Sequence, residues 1–224
     1  SLNFYSATSQ IKFIENKGQL LNSEGKIASD VLFYGDAANV RYLIRTTGLS
    51  YVFSKEIVTE KKELTITDEF SLEENKRRWN ERKVHGYRVD MNWINSSLLK
   101  NSSGQQPLHH KLNYYSPQFP NGLLNILSYE KVLVKNVYQN IDILFYSKNN
   151  QLKYDYIIHK GGDYKQIKFS FAGAENVLLE NDTLSLQTSL ITIKDFIPEC
   201  YTIQNGKNKN VKMHFAQLSN NIFG

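Results

Sequence analysis

Apolar side chains recur at every second position through most of this chain, and a period of two marks a strand with one buried face. Ile11-Lys12-Phe13-Ile14 opens one such run, and Val31-Leu32-Phe33-Tyr34 makes another, which Gly35-Asp36 should end. Stretches 40–45 and 49–53 read as a hairpin joined through Thr46-Thr47-Gly48, where Gly48 tolerates a positive φ. The same alternation predicts strands at 85–93, 129–137, 141–146, 152–158, 166–171, 177–180, 184–188, 191–194, 200–204 and 211–215. Short strands at roughly 8–12-residue spacing, with turn residues between them, predict an all-β fold, an antiparallel β-sandwich-like module.

Three stretches break the rhythm. Residues 68–83 are charged and lack Gly and Pro. Ser71 is a helix cap by type, Glu73 and Glu74 fall in the first turn, and Leu72 and Trp79 share one face, so a short surface helix or a charged insertion is expected there. Residues 95–107 are rich in Asn, Ser and Gly and read as a loop. Pro117, Pro120 and Gly122 mark 117–122 as a break between an N-terminal lobe, 1–116, and a C-terminal lobe, 123–224, unless the two form one continuous domain.

Composition narrows the function classes. The chain has 224 residues, 41% hydrophobic and 22% charged, which is globular rather than disordered. Its 14 Tyr, 12 Phe and 2 Trp favour pleated surfaces and suit wet, ligand-facing ones. Net charge is +5, but the densest basic cluster (Lys76, Arg77, Arg78, Arg82, Lys83) is interleaved with Glu73, Glu74 and Glu81. Nucleic acid needs a one-signed stripe, so no nucleic-acid partner is expected. Cys200 is the only cysteine, which rules out an intrachain disulfide, and it reads as a small buried residue. No apolar run approaches the length of a membrane span, so no membrane insertion is expected. No signal peptide stands at Ser1; if the protein is exported, the chain begins after the cleavage site.

Several segments stand in a telling order: Phe13-Ile14-Glu15-Asn16-Lys17-Gly18-Gln19, Gly48-Leu49-Ser50-Tyr51, Val137-Tyr138-Gln139-Asn140-Ile141-Asp142-Ile143-Leu144-Phe145-Tyr146 and Leu152-Lys153-Tyr154-Asp155-Tyr156-Ile157-Ile158. His159-Lys160-Gly161-Gly162-Asp163 and Ile167-Lys168-Phe169-Ser170-Phe171-Ala172-Gly173-Ala174 come next. From about Phe13 to about Phe223 the chain resembles the N-terminal β-rich domain, of unknown function, of large secreted bacterial proteins that carry β-propeller-type repeats behind it. Many of these come from Bacteroidota and end in a gliding-motility-associated, type IX secretion sorting domain. The resemblance implies export, a secreted or cell-surface location and downstream domains as partners. It brings no catalytic residues. The chain departs from the pattern at 115–121, where relatives tend to have a Gly-Asn-type turn, and at 68–83.

The sharpest candidate chemistry is Asp142 with Asp155. If 147–150 is the hairpin loop, Tyr146 pairs with Gln151 and the two carboxylates lie directly opposed, about 4.5–5.5 Å apart at Cβ. Such a pair needs compensation. A cation from a neighbouring strand or Lys153 could supply it, a calcium ion could bridge the two, or one carboxyl could hold a proton as in a retaining glycosidase. The architectural answer is preferred, because no further acid lies close by in sequence to complete a metal cage. No cofactor is expected otherwise. Asn16, Lys17 and Gln19 form either a polar binding loop or, as preferred, a strand-capping turn. The five histidines have no zinc spacing, and there is no P-loop, dinucleotide fingerprint or nucleophile elbow. Trp79, Trp93, Tyr114, Tyr115, Phe119 and Tyr129 lie in or near irregular segments, where rings stack on sugars or brace loops.

The sequence supports three functions. The first is a non-catalytic extracellular structural or interaction module, with an apolar patch near Ile222 and Phe223 for the next domain and a glycan or surface protein as partner. The second is a carbohydrate-binding or adhesion module, with an exposed coplanar pair among the loop aromatics. The third is a glycoside hydrolase-like enzyme, with an open cleft over Asp142 and Asp155.

Overall fold

The computed structural model describes residues 10–37, 39–57, 83–197, 199–204 and 207–224. The expected helix or charged insertion at 68–83 therefore lies outside the described residues, except for Lys83. So do Trp79 and the rest of the basic cluster.

Among the described residues every regular element but one is a strand. In chain order these are β1 (Phe13–Glu15), β2 (Val31–Ala37), β3 (Val40–Arg45), β4 (Gly48–Ile57), β5 (Lys83–Trp93), β6 (Ser102–Pro107), β7 (Leu112–Ser116), β8 (Phe119–Ile126), β9 (Ser128–Tyr138), β10 (Ile141–Lys148) and β11 (Gln151–Ile158). A 3-10 turn, Tyr164–Gln166, precedes β12 (Phe169–Ala172), β13 (Asn176–Glu180), β14 (Thr183–Gln187), β15 (Thr192–Phe196), β16 (Cys200–Gln204), β17 (Lys207–Val211), β18 (Gln217–Ser219) and β19 (Ile222–Phe223). All pairings are antiparallel.

The large sheet folds into two layers at β9. Tyr129 pairs with Phe13 across one edge of β9 and with Pro107 across the other. Further along, Val132 pairs with Phe145 and with Gly104. β1 and β10 thus sit end to end on one edge of β9, opposite β6. One layer is β1 to β5 with β12, β19 and β18; the other is β6, β9, β10 and β11.

Side chains between the layers show that they face each other. Trp93 Nε1 donates to the Tyr156 hydroxyl at 2.6 Å, and the Trp93 ring meets Phe145 edge-on with centroids 6.2 Å apart. Ile44, Leu49, Val89 and Met91 from one layer share a core with Val132, Val134, Ile143 and Phe145 from the other. Each such side chain stabilises the fold by about 1.5–3 kcal/mol on burial. The small sheet β13–β14–β15 adds Leu184 and Leu186 to the same core. A second cluster (Ala28, Val31, Tyr34 and Leu43) packs on the outer face of the first layer with Ile14, Leu20 and Val52.

Several expectations are corrected. Residues 102–107, read as loop, form β6. As an edge strand it buries no alternating apolar face, so its Ser-Ser-Gly-Gln-Gln-Pro sequence carries no period-two signal. β2 runs through Gly35 and Asp36 to Ala37 instead of stopping there. Pro117 and Gln118 turn the β7–β8 hairpin, and 119–126 is strand. The main core draws on both sides of this point, from Phe13 and Met91 to Phe145 and Phe223. The strand expected at 211–215 ends at Val211 and starts at Lys207. Phe223, expected in a surface patch, is buried; it pairs with Phe169 and stacks on it at 6.2 Å. Sequence reading missed the β-pairing that pulls this terminal segment into the sheet.

Candidate functional site

β10 buries one face of its alternation fully and the other only in part. Ile141, Ile143 and Phe145 are fully buried, while Leu144 and Tyr146 share the outer face with Asp142. Asn149 and Asn150 adopt left-handed conformations, φ 54° and 58°, and close a two-residue turn between Lys148 and Gln151. Asn tolerates this conformation, which suits the tight turn that matches strand twist. The ladder is therefore two pairs longer than expected, and the register shifts by two. Asp142 pairs with Ile157, Asp155 with Leu144, and Tyr146 with Lys153 rather than Gln151. The carboxylates stay on one face but lie diagonally, not directly opposed; diagonal neighbours stand about 7–8 Å apart.

Each carboxylate has its own partner. Asp142 is buried; Oδ1 accepts the Asn136 N–H at 2.8 Å, and Oδ2 lies 2.8 Å from His159 Nε2. Burial acts to raise the Asp142 carboxyl, but the Asn136 N–H and His159 outweigh it and hold the group below its ordinary value. Asp155 is exposed and its Oδ1 accepts the Tyr146 hydroxyl at 3.2 Å. Lys153 is exposed and bridges to neither. Among the described residues no three His, Cys, Asp or Glu side chains converge as a metal site would need.

The turn after β1 is stitched into the backbone. Asn16 Nδ2 donates to the carbonyls of Ala28 and Val31, both at 2.9 Å, and its Oδ1 accepts the Gly18 N–H at 3.1 Å. Gln19 accepts the Lys17 N–H at 2.7 Å and donates to the Glu15 carbonyl at 2.6 Å. Lys17 lies 3.5 Å from Glu15. These bonds hold segment 16–31 over the outer cluster.

Tyr114 and Tyr115 are adjacent on β7 and so point to opposite faces. The Tyr114 hydroxyl lies 2.8 Å from that of Tyr34. Burial and this contact raise the Tyr34 phenol above its ordinary range. Tyr115 is 70% exposed, and its ring lies over Gly122. Trp93 is buried, and Tyr129 packs against Phe33 with its ring over Gly104.

Sequence reading missed Asp195. It stands on the inward face of β15, paired with Leu184, and accepts the Tyr154 hydroxyl at 2.7 Å. Burial raises its carboxyl, and the Tyr154 hydrogen bond and Lys153 only partly offset this. The signal was present: Ile191, Ile193 and Asp195 share one phase, so an acid occupies an apolar position. A cavity of about 200 Å³, lined by Lys12, Ile14, Leu108, His110, Leu112 and Ser128, contains none of these acids.

No curated protein and no solved structure matches this chain. A family model does match, over residues 13–224. The chain belongs to that family, described as a domain of unknown function (DUF7948).

Proposed function

We propose that the chain is a non-catalytic structural and interaction module of a larger exported protein. The observation that carries this reading is Asp142. Its two oxygens are taken up by the Asn136 N–H and His159, so the most chemically suggestive acid ties β9 to β10 and to the segment after β11. Asp155, Asp195, Asn16 and Gln19 likewise bond to the fold itself. The resemblance to N-terminal domains of secreted, repeat-bearing proteins supports a place outside the cell, with downstream domains as partners. Phe223 belongs to this module's own core, so a junction with those domains would use other surface.

Glycan binding is a second reading, favoured by Tyr115, whose flat, exposed ring over Gly122 offers a stacking face. The module reading is tested by offering chromogenic glycosides to the parent chain and to Asp142→Asn and Asp155→Asn. It expects no turnover that these substitutions abolish. Turnover by the parent, lost in both variants, would replace it with the enzyme reading.

A further inference from the structure

We propose that the β16–β17 hairpin takes up an extended acidic segment of a partner protein as its third strand, along the open edge of β17. This deepens the interaction-module reading and rests on it.

The hairpin forms a sheet of two strands, with no third among the described residues. Two strands alone are marginal in water; a third strand or a covering face normally completes them. Tyr201 is 54% exposed and Ile203 71% exposed, on the face they share with Asn210 and Asn208. All five residues of β17 are exposed, whereas Cys200 of β16 is half-buried, so β16 is the strand nearer the body of the molecule. β17 is the outer strand. Gln204 pairs with Lys207, and the closing pair of so short a hairpin is hydrogen-bonded, so Lys207, Lys209 and Val211 bond inward, and Asn208 and Asn210 turn their backbone groups to the open edge.

The charge of this edge selects its occupant. Lys207 and Lys209 alternate on one face, Lys212 lies just beyond the strand, and none of the three pairs with an acid among the described residues. A second copy docking edge to edge would set lysine against lysine, which is unfavourable. A segment with acids at alternate positions instead sets a carboxylate beside each lysine. Its intervening residues widen the face carrying Tyr201 and Ile203. Main-chain hydrogen bonds supply affinity in such strand addition, and alternate side chains supply specificity.

The test uses the full chain and a labelled eight-residue peptide alternating Glu and Val. Fluorescence anisotropy reads binding, and amide NMR reads the site. The expected result is saturable, salt-sensitive binding that perturbs the Asn208 and Asn210 amides. Lys207→Glu with Lys209→Glu should weaken it about tenfold, since two exposed ion pairs reach about 1.4 kcal/mol together. Asn208→Pro, which removes an edge N–H and keeps the charges, should also weaken it. Any one of four results overturns the proposal: no binding, equal binding of a Lys-Val peptide, retained affinity in the charge-reversed variant, or capture of anionic phospholipid vesicles without the peptide. None of these results bears on the glycoside assay, so the module reading stands or falls separately.

Discussion

Burial raises the proton affinity of a carboxylate unless hydrogen-bond donors or cations oppose it. At Asp195 burial wins, and at Asp142 the Asn136 N–H and His159 win. The two groups therefore act on stability with opposite sign. A raised carboxyl binds its proton more tightly in the folded state, so the Asp195 contribution is best at low pH and is lost as pH rises from the ordinary carboxylate value through the folded one. Asp195→Asn should be as stable as the parent or more so at pH 7, with the difference closing toward pH 4, as read by urea unfolding across that range. A variant less stable at pH 7 than at pH 4, relative to the parent, would refute the assignment. Asp142 was legible as a residue of interest because an acid stands out in an apolar strand. Its partner was not, because His159 lies past the end of β11, and a period-two pattern is silent on residues outside the strand that carries it.

At the scale of elements, alternation located most strands that bury one face against the core, including 40–45 with its bounds unchanged. It also located 200–204 with its bounds unchanged, although Tyr201 and Ile203 there are exposed. It failed where the reward for alternation is missing. β6 is a polar edge, and β18 and β19 are too short to show a period. Register depends on turn chemistry, and Asn149-Asn150 carried that signal unread. Asn181-Asp182 repeats it between β13 and β14, with φ 48° and 58°. Gly104 is the sharpest test of an element. A Cβ there would lie 2.3 Å from the Tyr129 ring, which lies over the bare backbone of β6. Gly104→Ala should destabilise the fold by about 1–3 kcal/mol, typical of overpacking, with faster amide exchange across 102–107. Unchanged exchange there would mean that the Tyr129 ring moves aside without cost.

For the whole molecule, the sequence foretold an antiparallel β-sandwich but not its strand order. β12 pairs with β5 and β19 with β12, joining segments far apart in the chain, and no local pattern encodes which distant strands meet. Phe145 and Tyr156 meet Trp93 across the two layers, within the core they share. Phe145→Ala should cost about 3–5 kcal/mol in one cooperative transition by calorimetry. Two resolved transitions would instead divide the chain into lobes. If the polar groups of this fold serve architecture before chemistry, the unfolding free energy of Asp142→Ala must report it. A residue kept for function is often neutral or costly to stability, whereas one kept for structure is not. Asp142→Ala is expected to lose about 1–3 kcal/mol at pH 7 from two lost hydrogen bonds, the loss shrinking as pH falls through the folded value of Asp142, where the parent loses the same contribution. A variant as stable as the parent, or more stable, would contradict it.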